Sequence, residues 1–229
     1  VILGMQDLKL PQLGHGLRVL ASDGYGFFVR NSGGLAVIAD RGVLNVSLFL
    51  PNEDELSINS AYELMTQLFR TAFPSLPIAT TEIVHSYCPG KYDLSVRGQK
   101  FAGMAQRRNR AGIVVMLYCS IFGNQDARCA LLRRFYHEGK AAASSHFTFP
   151  VIRSETMTTL SDLLGRPLTL EQATVALLNA LADTGIAADM NSMPTLLRDP
   201  AYHKALTEAT ADLHTRNRSL KKMGEHDAI

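Results

Sequence analysis

Between Ile83 and Cys119 turn signals recur about every ten residues, and this spacing constrains the fold more than any other feature of the chain. Ile83-Val84 reads as a strand, then Asp93 to Val96, a turn at Arg97-Gly98, Phe101 to Gln106, an arginine-rich turn, and Gly112 to Cys119. Short apolar runs joined by such turns predict an antiparallel meander.

The flanking text supplies layers for that sheet. Val1-Ile2-Leu3 reads as an opening strand, and Phe27-Phe28-Val29 and Ala36-Val37-Ile38 as two short strands around the Gly33-Gly34 break. Val43 to Leu50 alternates, which predicts a strand buried mainly on its even face, with Asn45 and Ser47 turned elsewhere. Leu56, Leu64, Leu68 and Ala72 recur with helical spacing between Glu53 and Phe73, where Pro74 and Pro77 end the pattern. Past Asn124 the composition shifts to Ala, Leu and Arg, and Asp126 is placed to cap a helix through Phe135. Gly139 to Phe149 is small and polar and reads as a mobile loop. Helical text follows at Ser161 to Leu164, from a capping box at Thr169-x-x-Gln172 to about Thr184, and from Asp199-Pro200 toward Ser219. The sum is an α+β fold, a mixed or antiparallel sheet with flanking helices: a catalytic-type domain over 1–150 and a helical C-terminal region over 151–229.

Composition narrows function by exclusion. The 229 residues are 46% hydrophobic and 19% charged, enough to bury a full core. Lys plus Arg 23 against Asp plus Glu 21 leaves +2, so no global basic field argues for nucleic acid as a partner. The longest apolar runs, such as Gly112 to Leu117, fall well short of the ~20 residues of a membrane span. Three cysteines without C-x-x-C spacing, and histidines without ligand spacing, predict a reducing cytoplasmic setting and no metal. The chain opens at Val1 without Met, which suggests that its natural N-terminus lies upstream.

Four segments contain residues suited to chemistry. Arg30-Asn31-Ser32-Gly33-Gly34 sets an arginine, a hydroxyl and two glycines between short strands, where backbone N–H groups can approach a ligand; alone, it also reads as a plain hairpin turn. Cys88, just before Pro89-Gly90 at a strand-to-loop boundary, is the one cysteine with polar neighbours, although a free cysteine is commonly a small buried hydrophobe. Lys100 begins a strand whose Ala102, Gly103 and Ala105 leave room beside the backbone, so it reads either as a desolvated proton carrier or as an ordinary surface lysine. Arg107, Arg108 and Arg110 crowd one turn, which suits docking of an acidic protein surface or simple solvation. His85 reads as structural, since odd spacing on a strand would turn it away from Cys88.

In combination, Arg30-x-Ser32-Gly33-Gly34-x-Ala36-Val37, Gly42-Val43-Leu44-Asn45-Val46-Ser47, Cys88-Pro89-Gly90-x-Tyr92-Asp93-Leu94-Ser95 and Gly98-x-Lys100-x-Ala102-Gly103-x-Ala105-Gln106-Arg107 resemble the biotin/lipoate protein ligase superfamily. The Cys-Pro-Gly segment resembles its branch of octanoyl-[glycine cleavage H protein]:protein N-octanoyltransferases. The likeness runs from about Val1 to Tyr136 and more loosely from Leu160 to Gly185, and the stretch after Asn191 has no match. It implies that Cys88 carries the acyl group as a thioester and that Lys100 favours the thiolate and moves a proton. It further implies that Arg30, Ser32, Gly33, Gly34, Asn45, Ser47, Gly103 and Ala105 bound the acyl tunnel. The donor implied is glycine cleavage H protein and the acceptors are E2 lipoyl domains, with no ATP and no cofactor. Members of this superfamily have a further helix and strand upstream of Val1. An ATP-dependent lipoate ligase and a non-catalytic acyl- or protein-binding domain are the alternative readings.

Overall fold

The computed structural model describes residues 1–51, 56–110, 112–140, 149–184 and 192–225. In chain order its elements are β1 (Ile2–Leu3), α1 (Leu13–Ser22), β2 (Phe28–Val29), β3 (Val43–Leu50), α2 (Ile58–Ala72), β4 (Ala79–Thr80), β5 (Leu94–Val96), β6 (Gln99–Arg108) and β7 (Ile113–Ser120). Helices follow: α3 (Gln125–Gly139), α4 (Leu160–Leu164), α5 (Leu170–Asp183), α6 (Ser192–Leu196) and α7 (Pro200–Glu225). The meander is present as β5, β6 and β7, and the full antiparallel sheet runs β3-β7-β6-β5-β4. A separate parallel pair, β1 with β2, stands beside it.

Alternation along β7 divides the interior. Ile113, Val115, Leu117 and Cys119 join the core under α2 and α5, whereas Tyr118 belongs to the core built by α1, α3 and the β1–β2 pair. On β3 the even residues Leu44, Val46, Leu48 and Leu50 pack toward α2 and α5, and Asn45 and Ser47 take the other face, as expected. The described residues of 151–229 contribute to both cores: Ile152, Met157 and Leu220 join one, and Leu160, Leu168, Ala173 and Leu177 the other.

Several local readings are corrected. Ala36-Val37-Ile38 is not a strand but a single bridge from Val37 to Ile2. Ile83-Val84 lies in a turn, because the ladder ends near Thr81 and the Ile83 N–H donates to the Asp93 side chain instead. α3 is capped by Asn124, whose side chain accepts from the Ala127 N–H; Asp126 stands inside the first turn. α1 was not expected. Leu13, Leu17 and Leu20 are spaced for a helix and buried, but Gly14 and Gly16 dilute the pattern, and Gly16 is there because Phe135 packs directly on it. The expected helix start near Glu53 and most of the expected loop over Gly139 to Phe149 lie outside the described residues. The capping box at Thr169 and Gln172 and the Pro200 start of α7 are found as read.

Candidate active site

An apolar slot of about 220 Å³ opens between the sheet and the β1–β2 pair. Its sheet side carries Asn45 and Ser47 of β3, Gly103 and Ala105 of β6, and Met116 and Tyr118 of β7. Ile2, Phe28, Arg30, Ser32, Val37 and Cys88 close it from the other side. The sequence thus brings together six of its eight expected tunnel residues with Cys88; Gly33 and Gly34 form the adjoining loop and do not line the slot.

Cys88 sits on the β4–β5 loop, not at the end of a strand, with φ 48° in the left-handed region. A non-glycine residue there costs on the order of 1–3 kcal/mol and persists only where its surroundings hold it. Lys100 supplies that hold: its Nζ donates to the Cys88 carbonyl (2.7 Å), the Tyr87 carbonyl (3.0 Å) and Ser86 Oγ (3.2 Å), and pairs with Asp93 Oδ1 at 2.9 Å. Asp93 Oδ2 accepts from the N–H groups of Gly90 (3.1 Å) and Ile83 (3.2 Å). Burial pushes the Asp93 carboxyl up from its ordinary value, opposed by the Lys100 ammonium and these two N–H groups.

A β-bulge explains how Lys100 reaches this position. Leu94 pairs with Ala102 but Ser95 with Lys100, so Phe101 is an extra residue on β6. Phe101 and Ala102 therefore both enter the α2–α5 core, and Lys100 turns to the side of Gly103. Gly103 makes the passage: a Cβ there would stand 2.8 Å from the Tyr118 ring and 3.0 Å from Lys100 Cε.

The sulfur faces other groups. The Leu35 N–H donates to Cys88 Sγ (3.2 Å), and Arg30 Nη2 lies 3.9 Å from it while donating to the Gly33 carbonyl (2.8 Å) and the Leu35 carbonyl (3.1 Å). The contacts to the sulfur expected of Lys100 are thus made by Arg30 and a backbone N–H, because Lys100 Nζ points at the main chain of the cysteine loop. Ser32 Oγ is buried at the slot with no partner among the described residues, free to bond a polar atom of a bound group.

The remaining expectations divide. Arg107 and Arg110 are exposed, and Arg107 donates to the Asn31 carbonyl (3.3 Å), which sets it beside the slot loop. Arg108 is half-buried and turned inward: its Nη1 donates to the Leu56 carbonyl (2.7 Å) and its Nε to Gln106 Oε1. His85 is structural, its ring meeting the Val151 carbonyl at 3.2 Å. Cys119 is fully buried, and burial pushes its thiol well above the usual value; burial also pushes the Cys129 thiol up to about 11. No cluster of three or more His, Cys, Asp or Glu side chains is placed to hold a metal among the described residues.

An α+β domain that sets a supported cysteine against a narrow apolar slot places a thiol beside a space suited to an apolar chain. The chain belongs to the lipoyl protein ligase A/B catalytic domain family, which matches residues 1–182. It is 45% identical over 187 residues to an octanoyl-[GcvH]:protein N-octanoyltransferase of Exiguobacterium sibiricum, covering 81% of this chain and 68% of that one. It is 44% identical over 213 residues to a lipoyl-[GcvH]:protein N-lipoyltransferase of Listeria monocytogenes, covering 90% and 76%. The chain spans 62% to 68% of the length of three such octanoyltransferases. In fold it is similar to lipoate-protein ligase A bound with ATP (TM-score 0.59, 18% identity, 73% of this chain and 62% of that one). It is likewise similar to the putative lipoate protein ligase Ta0514 of T. acidophilum (TM-score 0.58, 17% identity, 80% and 67%).

Proposed function

We propose that this chain is an acyltransferase that moves an octanoyl or lipoyl group from a lysine of GcvH, through a thioester on Cys88, to a lysine of an E2 lipoyl domain. The names of its relatives support GcvH as donor and both acyl groups as cargo. The observation that carries the reading is Cys88 Sγ at the wall of the apolar slot, with the Leu35 N–H and Arg30 turned toward it.

In the first half-reaction the Cys88 thiolate attacks the carbonyl carbon of the donor's acyl amide. The C–N bond breaks, and the proton given up by the thiol ends on the departing lysine nitrogen. In the second half the acceptor's neutral lysine amine attacks the thioester carbonyl; the C–S bond breaks and the amine's proton restores the thiol. One lysine amide replaces another, so the exchange is nearly isoenergetic and needs neither ATP nor a cofactor. The slot shelters the acyl chain from water, at about 0.8 kcal/mol for each methylene buried. Lys100 and Asp93 hold the cysteine loop in its strained conformation throughout. Among the described residues no helix is long and apolar enough to cross a membrane.

Incubation with octanoylated GcvH and an apo lipoyl domain, without nucleotide, tests the reading. Octanoyl transfer to the acceptor is expected. Modification of the acceptor only when ATP and free octanoate are supplied would make the chain a ligase, and acyl binding without transfer would make it a carrier domain.

A further inference from the structure

One buried carboxylate near the site takes no part in the chemistry above. Asp7 lies just after β1 with no exposure to solvent. Its Oδ2 accepts from the Gly4 N–H (2.7 Å) and its Oδ1 from the Tyr136 hydroxyl of α3 (2.9 Å). The Tyr136 oxygen in turn accepts from the Ala36 N–H (3.1 Å). The neighbouring N–H, that of Leu35, is the one that donates to Cys88 Sγ.

The two ends of this chain of hydrogen bonds grip the same loop. Gly4 packs so closely under the loop that a Cβ would fall 1.9 Å from the Gly34 carbonyl oxygen, and Gly34 itself needs φ +94°. Asp7 fixes Gly4 from below, and Tyr136 fixes the peptide joining Leu35 to Ala36. We propose that Asp7 and Tyr136 are positioning residues that aim the Leu35 N–H at the Cys88 sulfur. The arrangement is costly to keep: burial pushes the Asp7 carboxyl up to about 6, against the Gly4 and Tyr136 hydrogen bonds and the charge of Arg30. A carboxylate held where it is disfavoured fits a site requirement better than a packing one.

The inference rests on Cys88 being the acyl-carrying nucleophile, but its test does not need transfer. The rate of iodoacetamide alkylation, located on the Cys88 peptide by mass spectrometry, reports directly on the sulfur. In Tyr136→Phe, which keeps the ring against Phe135 and Phe149, the rate at neutral pH is expected to fall about tenfold and to match the unmodified protein at strongly alkaline pH. Asp7→Asn is expected to do the same, and the double variant to add nothing further, since both act through one contact. Phe69→Leu, in the core under α2 and α5, controls for lost stability and is expected to leave the profile unchanged. An unchanged profile in folded Tyr136→Phe overturns the proposal, whether or not Asp7→Asn folds. Retained transfer by Cys88→Ala would instead overturn the nucleophile assignment, with the alkylation result standing separately.

Discussion

At the residue scale the account turns on which group touches which face of Cys88. Lys100 grips its carbonyl, and Leu35 and Arg30 meet its sulfur. Lys100→Ala is expected to slow transfer by about 10²-fold, the loss that follows when a reacting group shifts by about 1 Å. It also strands Asp93 as a buried charge, at about 3–5 kcal/mol of stability. Lys100→Arg is not expected to rescue, because a planar guanidinium does not fit between Gly103 and Tyr118. If Lys100 works by holding the cysteine loop, Cys88 alkylation falls in parallel with transfer; transfer falling alone would restore its proton-carrying role. Asp7 gives a pH signature of its own. Its folded pKa of about 6 lies above the ordinary carboxylate value, so the folded state binds the proton more tightly and stability gains as pH falls through that window. The urea midpoint of the unmodified protein should therefore rise relative to Asp7→Asn between about pH 6 and pH 4, and a constant difference would contradict the burial argument.

Elements decide what reaches the slot. α7 packs on α1 and β2, and there the side-chain amide of Asn217 acts as a missing strand: Asn217 Oδ1 accepts from the Val29 N–H (2.6 Å), and Nδ2 donates to the Val29 carbonyl (3.3 Å). Val29 immediately precedes Arg30. Asn217→Ala leaves two buried backbone groups unpaired, so a loss of about 1–3 kcal/mol in thermal or urea denaturation is expected, with slower transfer. Stability within error of the unmodified protein would show that water satisfies both groups. On the β6–β7 turn, reversing Arg107 and Arg110 to Glu should raise the KM for protein substrate and spare reaction of Cys88 with a small octanoyl thioester. Arg108→Glu should instead lower stability, because that side chain ties the turn to Leu56. The meander and the capping box were legible because their signals are local. The bulge at Phe101 was not, since it exists only in the pairing of β5 with β6, and neither was Asn217, whose partner is 188 residues away.

For the molecule as a whole, the sequence motifs mark the walls of one slot, but what supports those walls comes from distant parts of the chain. Arg30, Ser32, Asn45, Ser47, Gly103 and Ala105, which line the slot, were legible as a group because each sits in a short stretch resembling a known family. The supports were not: Tyr136 reaches across 129 residues to Asp7, and a backbone N–H carries no side-chain signature. Cys88 reads from the sequence as the cysteine unlike the others, and it stands half-buried at the slot where Cys119 and Cys129 are sealed in the cores. That contrast supplies the most direct test. Intact-mass measurement after incubation with octanoylated GcvH should show one octanoyl adduct, labile to hydroxylamine, mapping to the Cys88 peptide and absent from Cys88→Ala and Cys88→Ser, both inactive in transfer. Cys119→Ala and Cys129→Ala should still form it. Full transfer by Cys88→Ala, or an adduct on another residue, would contradict the thioester account.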